Sequence, residues 1–272
     1  MATAAVTSSL FNVAGKHVLV TGGSRGIGFM IAKGFAEHGA KVIISSRSKE
    51  ACQQAAGKIG CMYYVCNVAT REGCVELARH VSTCQQFGGK LDVLVNNAGT
   101  SWGEPLERES GKANWGFDKV FDLNVKSIFY LTRECMPFLE RKDGFDPGRV
   151  INIGSITGFV PQEAPSHAYD VSKAAVHHLT RKMSNDLAKK NITVNALAPG
   201  YVPTRMSEGL QTWGASMEKV ASQIPLGRLG NENDMVGACI YLSSKASSWV
   251  TGTVLNVDGG AIGSLQIPLS SL

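Results

Sequence analysis

Tyr169 and Lys173 stand four residues apart in Tyr169-Asp170-Val171-Ser172-Lys173, and Ser155 lies fourteen residues upstream in Gly154-Ser155-Ile156. On a helix, positions i and i+4 project from one face, so a phenol and an ammonium at this spacing share a site. The cation favours phenolate and is expected to lower the tyrosine pKa from its usual value near ~10. Such a phenol exchanges a proton with a substrate oxygen near neutral pH. A Tyr-x-x-x-Lys pair also arises by chance on helix surfaces, so its weight comes from the elements around it.

Those elements begin with His17-Val18-Leu19-Val20, a short apolar run of strand character. It enters Thr21-Gly22-Gly23-Ser24-Arg25-Gly26-Ile27-Gly28, and a helical pattern follows through Phe29, Ile31, Ala32, Phe35 and Ala36. Strand, glycine turn and helix together form the context in which a glycine motif binds a dinucleotide. Gly22 permits the tight turn, Gly26 lets the backbone approach a pyrophosphate, and Gly28 lets the helix pack closely on the sheet. The helix N-terminus offers its N–H groups to the anion. A second strand, Lys41–Ser46, follows after about one helix, as a βαβ unit requires.

Helices are then expected near Glu50–Ile59, Arg71–Gln86, Phe117–Arg141, Ala168–Lys189 and Glu232–Ser243. Strands are expected at Cys61–Cys66, Leu91–Val95, Arg149–Ile153, Ile192–Ala196 and Thr253–Val257. The alternation predicts an α/β chain, a single-domain Rossmann-type doubly wound parallel sheet of about seven strands. Ligands of such sheets bind beyond the carboxyl ends of the strands. Gly22, Asn97, Ser155 and Pro199 each follow a predicted strand and should converge on one crevice.

Further segments stand in a set order: Asn96-Asn97-Ala98-Gly99, Asn124 in Leu123-Asn124-Val125, Ser155, Tyr169 with Lys173, Pro199-Gly200 with Thr204, and Val257-Asp258-Gly259-Gly260. With Thr21-Gly22-x-x-x-Gly26-x-Gly28 ahead of them, the chain resembles the short-chain dehydrogenase/reductase family from roughly Gly15 to Gly260. Asn97-Ala98-Gly99-Thr100-Ser101-Trp102-Gly103 and Val150-Ile151-Asn152-Ile153-Gly154-Ser155 resemble the β-ketoacyl reductases of that family, especially the rhamnolipid-pathway type.

The resemblance implies reduction of a ketone, in which NADPH delivers hydride to the carbonyl carbon and Tyr169 donates a proton to the oxygen. Ser155 would polarise and position that oxygen. Lys173 would depress the tyrosine pKa and grip the nicotinamide ribose, and Asn124 would hold a water linking Lys173 to solvent. Asn97, Ala98 and Gly99 would line the cofactor trough with Ser24 and Ile27 of the glycine turn. Beyond Pro199 and Gly200, Val202 would meet the nicotinamide carboxamide through its backbone and Thr204 would add a side-chain contact. Asn124 has the alternative of bonding backbone carbonyls at a helix bend, Asn96 reads as structural, and Asp258-Gly259-Gly260 can be a plain turn. His167 reads as a loop residue near the site, and His177 and His178 as helix-flank residues without catalytic duty.

A carboxylate ending the second strand would hold the ribose 2′-hydroxyl of NAD and repel a 2′-phosphate. Ser46 takes that place here, Arg47 follows, and Arg25 can approach the same phosphate from the glycine turn. Two guanidiniums and a hydroxyl suit a phosphate, so NADP(H) is preferred over NADH. Where the family has Asp-Val beside the adenine, this chain has Asn67-Val68, whose amide can still hydrogen-bond to the ring.

The chain has 272 residues, 44% of them hydrophobic, enough for one full α/β core. Seven scattered cysteines without a Cys-x-x-Cys pair read as free thiols in a reducing, cytoplasmic setting, and no metal site is expected. No apolar run approaches the ~18 residues of a membrane helix, and no basic run suggests nucleic acid. A net charge of +5 is either a solvated surface or attraction to an anionic partner such as acyl carrier protein, coenzyme A or the NADPH phosphates. Residues 1–14 read as a flexible arm, 15–260 as the NADP-binding reductase domain and 261–272 as a C-terminal extension. The terminal Ser270-Ser271-Leu272 departs from a peroxisomal-type signal at its middle position, leaving a peroxisome-type organelle as the lesser alternative to the cytoplasm.

Substrate selection is expected in the segment from Thr204 to Arg228. Its Met206, Leu210, Trp213, Met217, Val220 and Ile224 recur at largely helical spacing and form either a helix packed on the body or an acyl-binding wall. With Trp102 and Phe159 nearby, a 3-oxoacyl thioester fits the finer resemblance, and a ring ketone or polyketide intermediate fits the same pocket. The reading from another class is a nucleotide-binding sensor or scaffold without turnover. Family habit implies a homotetramer or homodimer built on the two long helices.

Overall fold

The computed structural model describes residues 9–107, 116–142, 144, 146–205 and 216–263. Seven strands form one parallel sheet in the order β3-β2-β1-β4-β5-β6-β7. They are β1 (His17–Thr21), β2 (Lys41–Ser46), β3 (Met62–Val65), β4 (Val93–Asn96), β5 (Gly148–Ile153), β6 (Ile192–Pro199) and β7 (Val254–Val257). The helices are α1 (Gly26–Glu37), α2 (Lys49–Ile59), α3 (Arg71–Thr83), α4 (Gly116–Phe121), α5 (Ser127–Leu139), α6 (His167–Ala188), α7 (Met217–Gln223) and α8 (Glu232–Ser243).

Strand residues alternate between two cores, as the pleat demands. Val18, Val20, Ile44, Val95 and Leu197 face α1 and α8, meeting Ile31, Phe35, Met235 and Cys239. Leu19, Ile43, Leu94, Val150 and Val194 face α3, α5 and α6, meeting Leu77, Leu131 and Val176. Both faces are therefore covered, and the strand order reverses direction about β1 and β4, where a crevice opens for ligands. Within the second core, Asn96 donates to Thr132 Oγ1 (3.1 Å) and to Asn152 Oδ1 (2.9 Å), and Asn152 donates to Thr180 Oγ1 (2.9 Å). This chain of bonds stitches β4 and β5 to α5 and α6, the structural role expected of Asn96.

The single helix expected over Phe117–Arg141 is interrupted. A π-turn at Asp122–Lys126 separates α4 from α5, which stops at Leu139. The wider turn lets Asn124, buried inside it, bond to the loop after β4: its Oδ1 accepts from Thr100 N–H (2.9 Å), and its Nδ2 donates to Thr100 O (3.0 Å). The same amide also donates to Ser172 Oγ on α6 (3.0 Å). At the N-terminal side, Val13 is buried against the first core and Phe11 lies 6.5 Å from Tyr241, so packed structure begins ahead of Gly15. Residues 1–8 and the terminal Ser270-Ser271-Leu272 lie outside the described residues, as do Met206, Leu210 and Trp213 of the expected lid. Of its other members, Ile224 is buried and Met217 and Val220 are half-buried on or beside α7.

Candidate active site

A cavity of about 920 Å³ opens at the carboxyl ends of the strands. Gly22, Ser24, Arg25, Gly26 and Ile27 line it from the glycine turn; Ser46 and Arg47 from the end of β2; Asn67 and Val68 from beyond β3. Asn97, Ala98 and Gly99 follow β4, Ser155 follows β5, Tyr169 and Lys173 project from α6, and Pro199, Gly200, Val202 and Thr204 close the ring after β6. Two expected residues do not line it. Asn124 sits behind Thr100, and Gly28 packs under the glycine turn.

Gly28 explains how that turn is held. A Cβ there would lie 2.2 Å from Asn97 Nδ2 and 2.5 Å from Gly22 O, so no side chain fits. Asn97 Nδ2 donates to Thr21 O (2.9 Å) and Gly22 O (3.3 Å), while Thr21 Oγ1 receives the N–H groups of Asn97 and Ala98 (both 3.0 Å). The turn is thus tied to the loop after β4, with Gly22 at φ +67°. The N-cap of α1, Arg25, makes no side-chain capping bond, and Gly26 and Ile27 in the first turn of the helix line the cavity.

The donor set fits a dinucleotide carrying an extra phosphate. Arg25, Arg47, Lys173 and Arg205 line the cavity, and among the described residues no Asp or Glu side chain does. Ser46 Oγ is 2.9 Å from Cys52 Sγ and Ser45 Oγ is 3.1 Å from Cys66 Sγ, which fixes the wall at the end of β2. Asn67 Oδ1 accepts from Ala69 N–H (3.3 Å), making a turn that presents the residue to the cavity. Behind Gly200, the Asp258 carboxylate caps a turn by accepting from the N–H groups of Gly260 and Ile262 (both 3.0 Å), the plain role read for it.

The titrating groups depart from the expectation of a tyrosine acidified by its lysine. Burial raises the Tyr169 pKa; a hydrogen bond with Ser155 works against that, and the Asp170 charge adds to it. Lys173 Nζ points past the phenol, donating to Ile153 O (2.7 Å) and lying 5.4 Å from the centre of the Tyr169 ring. Burial lowers the Lys173 pKa to about 8. Desolvation disfavours both charged forms, the phenolate and the ammonium alike. A phenol that keeps its proton suits an acid that gives one up to a carbonyl oxygen. Ser155 is fixed beside it at 7% exposure, its Oγ accepting from Thr157 N–H (3.2 Å) and lying 3.1 Å from Thr157 Oγ1.

Of the lining residues, Gln162, Ser166 and Tyr201 carried no sequence signal. Gln162 Nε2 donates to Ser166 Oγ (2.8 Å) and Asp170 Oδ1 (3.2 Å), and Ser166 Oγ donates to the same carboxylate oxygen (3.1 Å). Glu104 N–H donates to Pro165 O (2.9 Å), joining the loops after β4 and β5 on one side of the cavity. Trp102 and Tyr201 complete that mouth, and the Trp102 indole is seated on Gly116, where a Cβ would come within 2.3 Å of it. Phe159 and His167 do not line the cavity. His178 is exposed, but His177 is buried at 2% exposure, contrary to its expected place on a flank.

A family profile described as enoyl-(acyl carrier protein) reductase matches residues 22–261. The rhamnolipids biosynthesis 3-oxoacyl-[acyl-carrier-protein] reductase of Pseudomonas aeruginosa is 39% identical over 255 residues, covering 92% of this chain and 97% of the relative. Gluconate 5-dehydrogenase of Gluconobacter oxydans is 35% identical, covering 94% of this chain and 98% of the relative. Among solved structures, the Pseudomonas aeruginosa RhlG/NADP active-site complex superposes with a TM-score of 0.85 at 39% identity, covering 93% of this chain and 98% of that one.

Proposed function

Because this chain belongs to the short-chain dehydrogenase/reductase family and is an NADP-dependent oxidoreductase, we propose that it reduces a 3-oxoacyl thioester, carried on acyl carrier protein or coenzyme A, to the 3-hydroxyacyl product. The observation that carries this reading is the grouping of Ser155, Tyr169 and Lys173 at one end of a cavity whose other end holds Ser46, Arg47 and Arg25. The cofactor supplies hydride to the carbonyl carbon. Arg25, Arg47 and Ser46 hold its 2′-phosphate, the α1 N-terminus its pyrophosphate, and Lys173 its ribose. Ser155 orients the ketone oxygen, and Tyr169 releases its proton to that oxygen as negative charge develops there. Asn124 keeps the Thr100 loop and Ser172 in register beside Lys173.

The near full-length likeness to a 3-oxoacyl reductase supports the thioester, and Trp102 and Tyr201 give an acyl chain an aromatic mouth. The likeness to gluconate 5-dehydrogenase, with polar Gln162 and Ser166 at the same wall, favours a second reading, a polar keto acid. Exposed Phe117, Phe129 and Val171 on α4, α5 and α6 support self-association through these helices into a homodimer or homotetramer, which sedimentation tests. NADPH oxidation by the purified protein should be fastest with acetoacetyl-coenzyme A, slower with cyclic ketones and slowest with a keto-gluconate. A keto-gluconate preferred over every thioester overturns the first reading in favour of the second. Tight NADPH binding without turnover of any ketone would identify a sensor or scaffold.

A further inference from the structure

Tyr169, Lys173 and His177 recur at every fourth residue of α6 and so share one helix face. The first two reach the cavity, while the third turns beneath the loop that carries Ser155. There the imidazole is enclosed between the two glycines bounding the turn. A Cβ on Gly154 would lie 2.5 Å from His177 Nε2, and one on Gly158 would lie 2.6 Å from His177 Cε1. The far side of the ring meets Phe159, with centroids 4.4 Å apart. The turn between these glycines is closed on itself, since Gly158 N–H donates to Ser155 O (3.1 Å). It also rests on α6 backbone, where a Gly158 Cβ would come within 2.7 Å of the Lys173 carbonyl carbon.

We propose that His177 is a positioning residue for Ser155, its flat uncharged ring acting as the block that sets the height of the Gly154–Gly158 turn over α6 and so places the serine hydroxyl at Tyr169. Packing is what the ring supplies, because neither of its nitrogens has a protein partner. The ring is neutral at ordinary pH: burial first, then the charges of Lys173 and Arg181, lowers its pKa to about 4. A charge at this point would face Lys173, one helical turn away. Both Gly154 and Gly158 are needed for the approach, and a side chain on either would displace the ring or the turn. The proposal rests on the reading of Ser155 as the group that orients the ketone oxygen.

The test is a double-mutant cycle of His177→Ala and Ser155→Ala, with turnover of the best ketone followed at high enzyme concentration so that residual rates are measured. Ser155→Ala alone must lower kcat; if it does not, the reading of Ser155 fails before His177 is considered. His177→Ala should lower kcat about 10- to 100-fold, the scale for a reacting group displaced by a fraction of an ångström to an ångström. NADPH affinity, measured by fluorescence titration, should stay within about twofold, and in the Ser155→Ala background the same substitution should change the residual rate less than about twofold. Equal losses in both backgrounds, or an unchanged kcat in His177→Ala, overturn the proposal. Should His177→Ala fail to bind NADPH, the cycle is run with His177→Leu, which keeps the core filled without the flat ring, and the same outcomes decide.

Discussion

Lys173→Met is expected to give a protein that is more stable at neutral pH and unable to turn over a ketone. Lys173 is 5% exposed, and burial brings its pKa down to about 8 from 10.5. The unfolded chain therefore holds the lysine proton more tightly than the folded one. The ammonium opposes folding fully below the folded pKa, and the opposition fades as pH climbs toward the unfolded value. These two pKa values correspond to a penalty of about 3 kcal/mol at pH 7, which falls to about 1 kcal/mol near pH 9.5. Methionine retains much of the apolar stem but loses the bond to Ile153 O, at a cost of about 1 kcal/mol that barely changes with pH. Urea unfolding of both proteins at the two pH values should thus show the variant's advantage narrowing by about 2 kcal/mol as pH rises, whatever the fixed offset. An advantage that stays constant, or widens, would refute burial of a charged lysine as the origin of the shift. NADPH oxidation should be lost in the same variant, because the group proposed to hold the cofactor ribose is gone.

Tyr169→Phe should leave NADPH affinity within a few-fold while nearly abolishing turnover, since only the acid is removed; substantial remaining rate in single-turnover assays would move the proton-donor role to another group. Arg25→Ala combined with Arg47→Ala should weaken NADPH by at least about 100-fold on the scale of two lost charge-assisted bonds, and NADH far less. Equal losses for the two cofactors in a binding titration would remove both arginines from the 2′-phosphate.

The elements and most of the site were legible in the sequence because they depend on short-range pattern. Val18, Leu19 and Val20 alternate between two cores, Phe35 and Ile31 fall on one helical stripe, and the glycine turn stands between them, all within a few residues of chain. Ser46 and Arg47 at the end of β2 were likewise readable as cavity residues, since ligands of such sheets bind beyond the carboxyl ends of the strands. Periodicity could not reveal the π-turn, because inserting one residue into a helical ladder leaves the apolar spacing on either side intact. Nor could it show that His177 turns inward while His178 faces solvent: that choice depends on Gly154, Gly158 and Phe159, which lie about twenty residues away in sequence and fold back onto the helix. The titration of Tyr169 and Lys173 belongs to tertiary structure for the same reason. Spacing alone brings a cation to a phenol, but the water excluded by β5, the Ser155 turn and α6 together decides whether either charge is tolerated, and that exclusion raises one pKa and lowers the other.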